Sequence, residues 1–266
     1  MRRRHAVAHL ANWTAAVLGA ALLLFLAVPI LLLVVLGAAG VPSALHDRET
    51  LRALEITFIA ATTATTIAAL CGTPIAYALS RRNFRARTVF AAVIDLPLLI
   101  PHPVAGIAIL LLVSRNTAFG SALIDMGVRV VGSPAGIVAA MLFVSAPLFV
   151  SGAREAFSRV DRRYEFVGRT LGDTAWTAFR RVTLPLARRG LASAAIVTWA
   201  RSVSEFGAVV VLAYNPKVVS VLSYERFTTG GLRDALPIAA TLVLVSLVPL
   251  IALRALRYER SGEAMS

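Results

Sequence analysis

A chain of 266 residues could hold one or two soluble domains, but 58% of these residues are apolar and only 15% charged, against roughly 45–50% and 25% in water-soluble folds. So little polar surface cannot clothe a water-facing globule, and the apolar excess belongs in lipid. The formal charge of +13 does not mark a nucleic-acid binder, because the basic residues are scattered between apolar segments, and the single cysteine, Cys71, excludes an intramolecular disulfide.

Residues 1–12 carry Arg2, Arg3 and Arg4 ahead of an apolar run, 13–36. That run is too long for the apolar core of a signal peptide, roughly 7–15 residues, and no cleavage site ends it. It is therefore read as a retained first span behind a short cytoplasmic tail. Further apolar runs follow at 54–79, 89–113, 134–152, 191–213 and 235–256, near the roughly 20 residues needed to cross about 30 Å of hydrocarbon. They are continuous and lack the two-residue alternation of a barrel strand, so the predicted fold is all-α: a polytopic membrane protein with six transmembrane helices.

Three of these runs contain side chains that need explaining. The second carries Thr57, Thr62, Thr63, Thr65 and Thr66, whose hydroxyls are read first as interhelical bonds and second as contacts for a passing solute. The third contains Pro97, Pro101 and Pro103. These predict a kink or break, tolerable in a membrane only where protein or a water-filled cavity satisfies the freed backbone groups. Asp95 precedes them, near the cytoplasmic interface. In the fifth run Arg201 and Glu205 stand four residues apart, share a helix face and can pair. With Ser202, Ser204 and Gly207, and with Pro101 and Pro103, they are candidates for a pathway or gate; the alternative is an internal ion pair that only fixes the bundle. The four histidines are too dispersed to propose a metal site, and no catalytic cluster or bound cofactor is expected.

Six spans divide the basic residues unequally. Nineteen fall on the side of both termini and of residues 154–190, and seven on the other, which places both termini and that loop in the cytoplasm. The tail 257–266 is expected to be short, with no regulatory domain after the last span. Within 154–190, Tyr164, Phe166, Val167, Leu171, Trp176, Phe179, Val182 and Leu184 recur at helix-like spacing among arginines. Such a segment docks onto a partner or lies on the membrane surface.

The loop also reads Arg169-Thr170-Leu171-Gly172, nine residues, then Val182-Thr183-Leu184-Pro185. This resembles the cytoplasmic loop of binding-protein-dependent ABC importer permeases, in which a Glu-Ala-Ala triplet and three residues precede Gly, and nine more precede Ile-x-Leu-Pro. The triplet positions fall here on Phe166, Val167 and Gly168, with Glu165 one place early. Gly172 suits a tight turn between two short helices, and Pro185 stiffens the segment that follows. The resemblance implies a helix–turn–helix coupling loop that sits in a groove of a separate ATP-binding subunit, with Arg169, Thr170, Leu171, Gly172, Asp173, Trp176, Val182, Leu184 and Pro185 at or around the contact. The chain has no Gly-x-x-x-x-Gly-Lys-Ser/Thr loop, so it is not expected to be the ATP-hydrolysing enzyme.

Residues 201–216 and 224–228 are similar to permeases for molybdate and tungstate, and the proline run 97–106 is similar to a segment shared by those and sulfate permeases. The resemblance covers the transmembrane domain, 51–256. It implies a multi-pass subunit of the cytoplasmic (inner) membrane for an oxyanion, working as a homodimer with two ATP-binding subunits and an extracytoplasmic oxyanion-binding protein. A sulfate or thiosulfate permease, the same fold serving a polyamine or ferric ion, a heterodimer, and an enzyme or carrier without partners are the alternatives.

Overall fold

The computed structural model describes residues 2–262, with side-chain surroundings for 13–249 and 251; the described residues form helices and turns, without a strand. The expected tails, 1–12 and 257–266, lie outside the residues whose side chains are described. Helix α1 (Arg2–Gly37) carries the first apolar run, and none of its described side chains before Gly37 is buried. A short 3₁₀ turn and α2 (Val41–His46) lead to α3 (Arg48–Arg81). Asp47 starts α3 by accepting hydrogen bonds from the backbone N–H groups of Glu49 and Thr50 at 3.4 and 3.1 Å, which satisfies donors the first turn leaves open. The buried face of α3 is built from small residues, among them Ala53, Ala60, Ala61, Ala64, Ala68 and Ala76, and small residues let helix backbones approach closely in lipid.

Helices α4 (Arg87–Leu99) and α5 (His102–Val113) carry the proline run and are bent by 114° at the Ile100–Pro101 break. The cause is the one the prolines predict: Pro101 and Pro103 offer no N–H to the preceding turn. After α6 (Ala118–Asp125), α7 (Pro134–Ser158) crosses the centre of the bundle. Then come α8 (Arg162–Thr170), α9 (Ala175–Ala178), a π-helical turn (Phe179–Thr183), α10 (Leu184–Val203), α11 (Gly207–Leu212), α12 (Val219–Gly230) and α13 (Leu232–Gly262).

Four helical stretches among the described residues are long and apolar enough to cross a membrane: Trp13–His46, Arg48–Arg81, Pro134–Ser158 and Leu232–Pro249. The bent pair α4 and α5 makes a fifth if it is one span. The run 191–213 differs from the continuous helix predicted for it. It stops at Val203, passes through Ser204–Phe206 and resumes as α11. The physical reason lies in its polar residues: Glu205 turns its side chain to the backbone N–H of Ala208 (2.8 Å), and so supports the break from within.

The core has two main parts, joined along α3, α7 and α10. One gathers Ala61, Ile137, Met141, Val144, Val209 and Leu212. The other lies toward the arginine-rich loop and gathers Leu79, Phe149, Phe157, Val160 and Phe179. At the opposite end of α3, Lys217 bridges Glu49 (2.9 Å) and Glu225 (2.6 Å), and Arg226 reaches Glu49 at 2.8 Å. The two carboxylates hold the Lys217 ammonium above the usual lysine range, chiefly through its hydrogen bonds to Glu225 and Glu49.

Candidate functional site

Two polar constellations stand out from the apolar bundle. The first pins the arginine-rich loop. Glu165, on α8, turns inward: its carboxylate lies 2.9 Å from Arg81 Nε at the end of α3, and it accepts hydrogen bonds from Tyr77 (3.0 Å) and Thr183 (2.6 Å). Arg81 also donates to the Val160 carbonyl and Arg162 to the Ser80 carbonyl, at 2.9 and 2.8 Å. Beneath these bonds Tyr77, Phe157 and Phe179 meet edge to face and tilted, with centroids 4.7–6.0 Å apart. The loop is therefore fastened to the bundle.

Its outer side is left open. Phe166 and Val167 are exposed, Leu171 is 84% exposed and Trp176 64%, although Trp176 stacks on Phe179 at 5.6 Å. Arg169 and Thr170 are also exposed. Gly172 has φ +99° with open space around it, a backbone region that other residues enter only with strain. Asp173 lies 3.6 Å from Arg181. Val182 and Leu184 are half-buried, and Pro185 opens α10 where a missing N–H is harmless. Sequence spacing picked out Gly172, Trp176 and Pro185. It did not reveal that Glu165 faces Arg81, Tyr77 and Thr183; the only signal was a carboxylate one place out of register.

The second constellation lies at mid-depth. Ser202 donates to Ser145 (2.9 Å), and Ser145 stands near the middle of the 25-residue α7. One residue away Arg201 Nη2 lies 2.8 Å from Glu205 Oε2 and 2.7 Å from His102 Nε2, and Nη1 is 3.3 Å from Ser204 Oγ. Arginine only donates, so the facing ring nitrogen of His102 accepts. The predicted pair of Arg201 and Glu205 thus forms, across a helix end. Glu205 is buried, at 1% exposure, whereas the Arg201 side chain is 23% exposed and His102 and Ser204 lie open. Ser220 donates to the Glu205 carbonyl at 2.8 Å.

Glycine makes this crossing possible. A side chain at Gly207 would meet the Cβ of His102 at 2.7 Å and Pro103 Cδ at 3.0 Å, and one at Gly106 would meet the Ala208 carbonyl at 2.8 Å. Pro101 caps the start of α5 and Pro103 lies in its first turn, so both position His102. The dispersed histidines gave no hint that His102 would join Arg201, because the two are 99 residues apart. A charge exposed to lipid at this depth costs about 2.5–3.5 kcal/mol on insertion scales, so the face carrying Arg201 is not a lipid face.

Most other polar groups of the spans split between local and interhelical bonds, whereas the buried hydroxyls of Thr65 and Ser246 have no hydrogen-bond partner among the described residues. Thr57 accepts from the Val219 N–H (3.0 Å) and Thr62 from Trp199 (3.1 Å). Thr63 and Thr66 bond within α3. Ser151 reaches Asp95 at 3.3 Å.

A helical bundle with two broken segments, an outward-facing apolar loop and a charged face at mid-depth defines a class of membrane transport component. Residues 64–258 match the family of binding-protein-dependent transport system inner membrane components, and the chain belongs to that family. Among its relatives, the molybdate/tungstate transport system permease protein WtpB of Thermococcus kodakarensis is 41% identical over 90% of this chain and 93% of its own length. The protein of that name from Methanocaldococcus jannaschii is 37% identical over 87% and 90%. The sulfate transport system permease protein CysT of Escherichia coli is 30% identical over 79% and 77%. Of solved structures, a bacterial ABC transporter involved in the import of alginate matches with a TM-score of 0.75 at 16% identity, over 97% of this chain and 99% of that one. The MetNI methionine ABC transporter matches at 0.59 and 16% identity, over 82% and 95%. At these identities the likeness is one of fold.

Proposed function

We propose that this chain is the permease subunit of an ATP-driven importer for molybdate or tungstate. The observation that carries the reading is its likeness, along about nine tenths of the chain, to permeases named for those two anions. In this reading the chain crosses the membrane six times, with α10, the 204–206 break and α11 making the fifth passage, and with both termini and the arginine-rich loop in the cytoplasm. Two copies pair around a shared polar path, two ATP-binding subunits hydrolyse ATP, and an extracytoplasmic binding protein delivers the anion.

The geometry supports a division of labour. Segment 169–176 offers Leu171 and Trp176 to the ATP-binding subunit, while Glu165 and Arg81 fasten the loop to α3, so a displacement of the loop is passed to a span. A doubly charged oxyanion keeps its hydration strongly and needs a polar route. In this reading Arg201 and Ser204, with Pro101 and Pro103, face such a route between two copies, and Ser202, Glu205 and Gly207, which are buried, support them from behind.

The test is cellular tungsten and molybdenum at nanomolar supply, in cells lacking this chain and any second uptake system. Wild type should restore both metals. Gly172→Asp should restore neither, because it forces a side chain into a left-handed backbone costing about 1–2 kcal/mol and reshapes the loop. Restoration of sulfate uptake alone would assign the chain to sulfate instead.

A further inference from the structure

The Arg201 guanidinium has chemistry left over. Of its five N–H groups, the contacts to Glu205, His102 and Ser204 engage three, and two remain on a partly exposed side chain at mid-depth. Glu205 has nothing left over: it is buried, with Oε2 held by Arg201 and Oε1 by the Ala208 N–H. The pair is therefore lopsided. Its cationic end faces the open side with His102 and Ser204 beside it, and its anionic end is sealed behind. A pair that served only to fix the bundle would have no reason to leave the guanidinium open at the depth where water is scarcest.

We propose that Arg201, steadied by His102 and Ser204, is a transit site for a tetrahedral dianion, and that Glu205 is a built-in counter-ion that keeps the site weak. The proposal rests on the oxyanion-importer reading. A dianion crossing at mid-depth needs N–H donors in place of lost water, yet an unopposed cation in a low-dielectric surrounding would hold it fast. Passage requires binding favourable enough to enter and weak enough to leave. An arginine cannot shed its charge, so the remedy open to the fold is a carboxylate fixed behind it. The Ala208 N–H and the Ser220 bond to the Glu205 backbone hold that carboxylate in place.

The experiment uses the whole transporter, this chain with its ATP-binding subunit and binding protein, in detergent and in proteoliposomes. Tungstate retained by the solubilised complex without binding protein is measured by equilibrium dialysis, and tungstate uptake is measured in the vesicles. Glu205→Gln leaves Arg201 uncancelled, so retention should rise on the order of tenfold or more while uptake falls. Arg201→Gln combined with Glu205→Gln removes both charges and keeps a polar side chain at each position. It should retain no more than wild type and lose most uptake, and it serves as the test if the single variant does not assemble. A Glu205→Gln complex that retains no more tungstate than wild type, or a double variant that transports at the wild-type rate, overturns the transit site alone. A wild-type complex that moves neither tungstate nor molybdate overturns the importer reading and the site with it.

Discussion

Glu165 joins its own α8 to two other elements through one carboxylate: Arg81 and Tyr77 from α3, and Thr183 from the π-helical turn. The Arg81 side chain is 8% exposed and that of Glu165 16%, so most of the water around the pair has been removed. Removing the carboxylate strands a nearly buried guanidinium, and Glu165→Gln should cost about 3 kcal/mol of stability. Glu155 and Arg159 form a pair of similar length but are 64% and 78% exposed, and Glu155→Gln should cost less than about 1 kcal/mol. Thermal unfolding of the two variants in one detergent gives the comparison; equal shifts would mean that Glu165 is not the fastening. The sequence displayed Glu165 only as a residue beside a motif. Position along the chain says nothing of which way a side chain turns, and that is decided by Arg81, 84 residues earlier. Gly172 was legible for the opposite reason, since its backbone angle is a local matter.

Helix ends and breaks differ in how far they can be read. The 114° bend between α4 and α5 follows from prolines, whose effect on the backbone is intrinsic. The break after α10 was hidden, because Arg201 and Glu205 at four-residue spacing suit a continuous helix, and the pair forms in either case. What decides against continuity is tertiary: Glu205 bonds to the Ala208 N–H, and Gly207 lets α11 press against His102 and Pro103. At the far end of α3 the clasp of Lys217 with Glu49 and Glu225 ties α3 to α12 and has a pH signature. The lysine is held above its ordinary value, so its contribution is complete below the unfolded pKa of about 10.4 and is lost as pH rises through the folded one. Unfolding temperature should therefore fall between pH 9 and pH 12 by more in wild type than in Lys217→Met. Parallel profiles would show that the clasp adds nothing.

At the scale of the whole molecule, the described surface sorts into regions by what can cover them. The bundle's apolar flanks suit lipid, the Arg201 face does not, and the loop presents Leu171 and Trp176 to water. A large aromatic left 64% exposed on a fastened loop is the kind of residue that carries binding energy in an interface. Under the proposed function, Trp176→Ala should weaken association with the proposed ATP-binding subunit about tenfold or more, equivalent to at least about 1.4 kcal/mol. The isolated permease should melt as before, since the side chain stacks only on Phe179. Binding measured by co-purification across a concentration series, beside the melting curve, separates the two effects. Composition and run length disclosed the membrane class and most of the helices, whereas the surfaces required knowing which runs pack together.

Helix α1 shows how loosely part of such a chain is written. None of its described apolar residues before Gly37 is buried, and it meets α13 where Gly37 lies against Leu236 and Ala240, just before Gly40 of the following turn lies against Pro237. The apolar side chains of residues 17–32 lie open among the described residues, a surface that suits hydrocarbon, and hydrocarbon distinguishes greasy from polar but not one order of leucines, valines and alanines from another. Where lipid covers them, residues 17–32 encode a length and a solubility rather than a message. Scrambling them within those limits should leave the helix the same anchor, whereas a single added methyl at Gly37 would meet Ala240 and the Leu236 carbonyl at 2.6 and 2.7 Å.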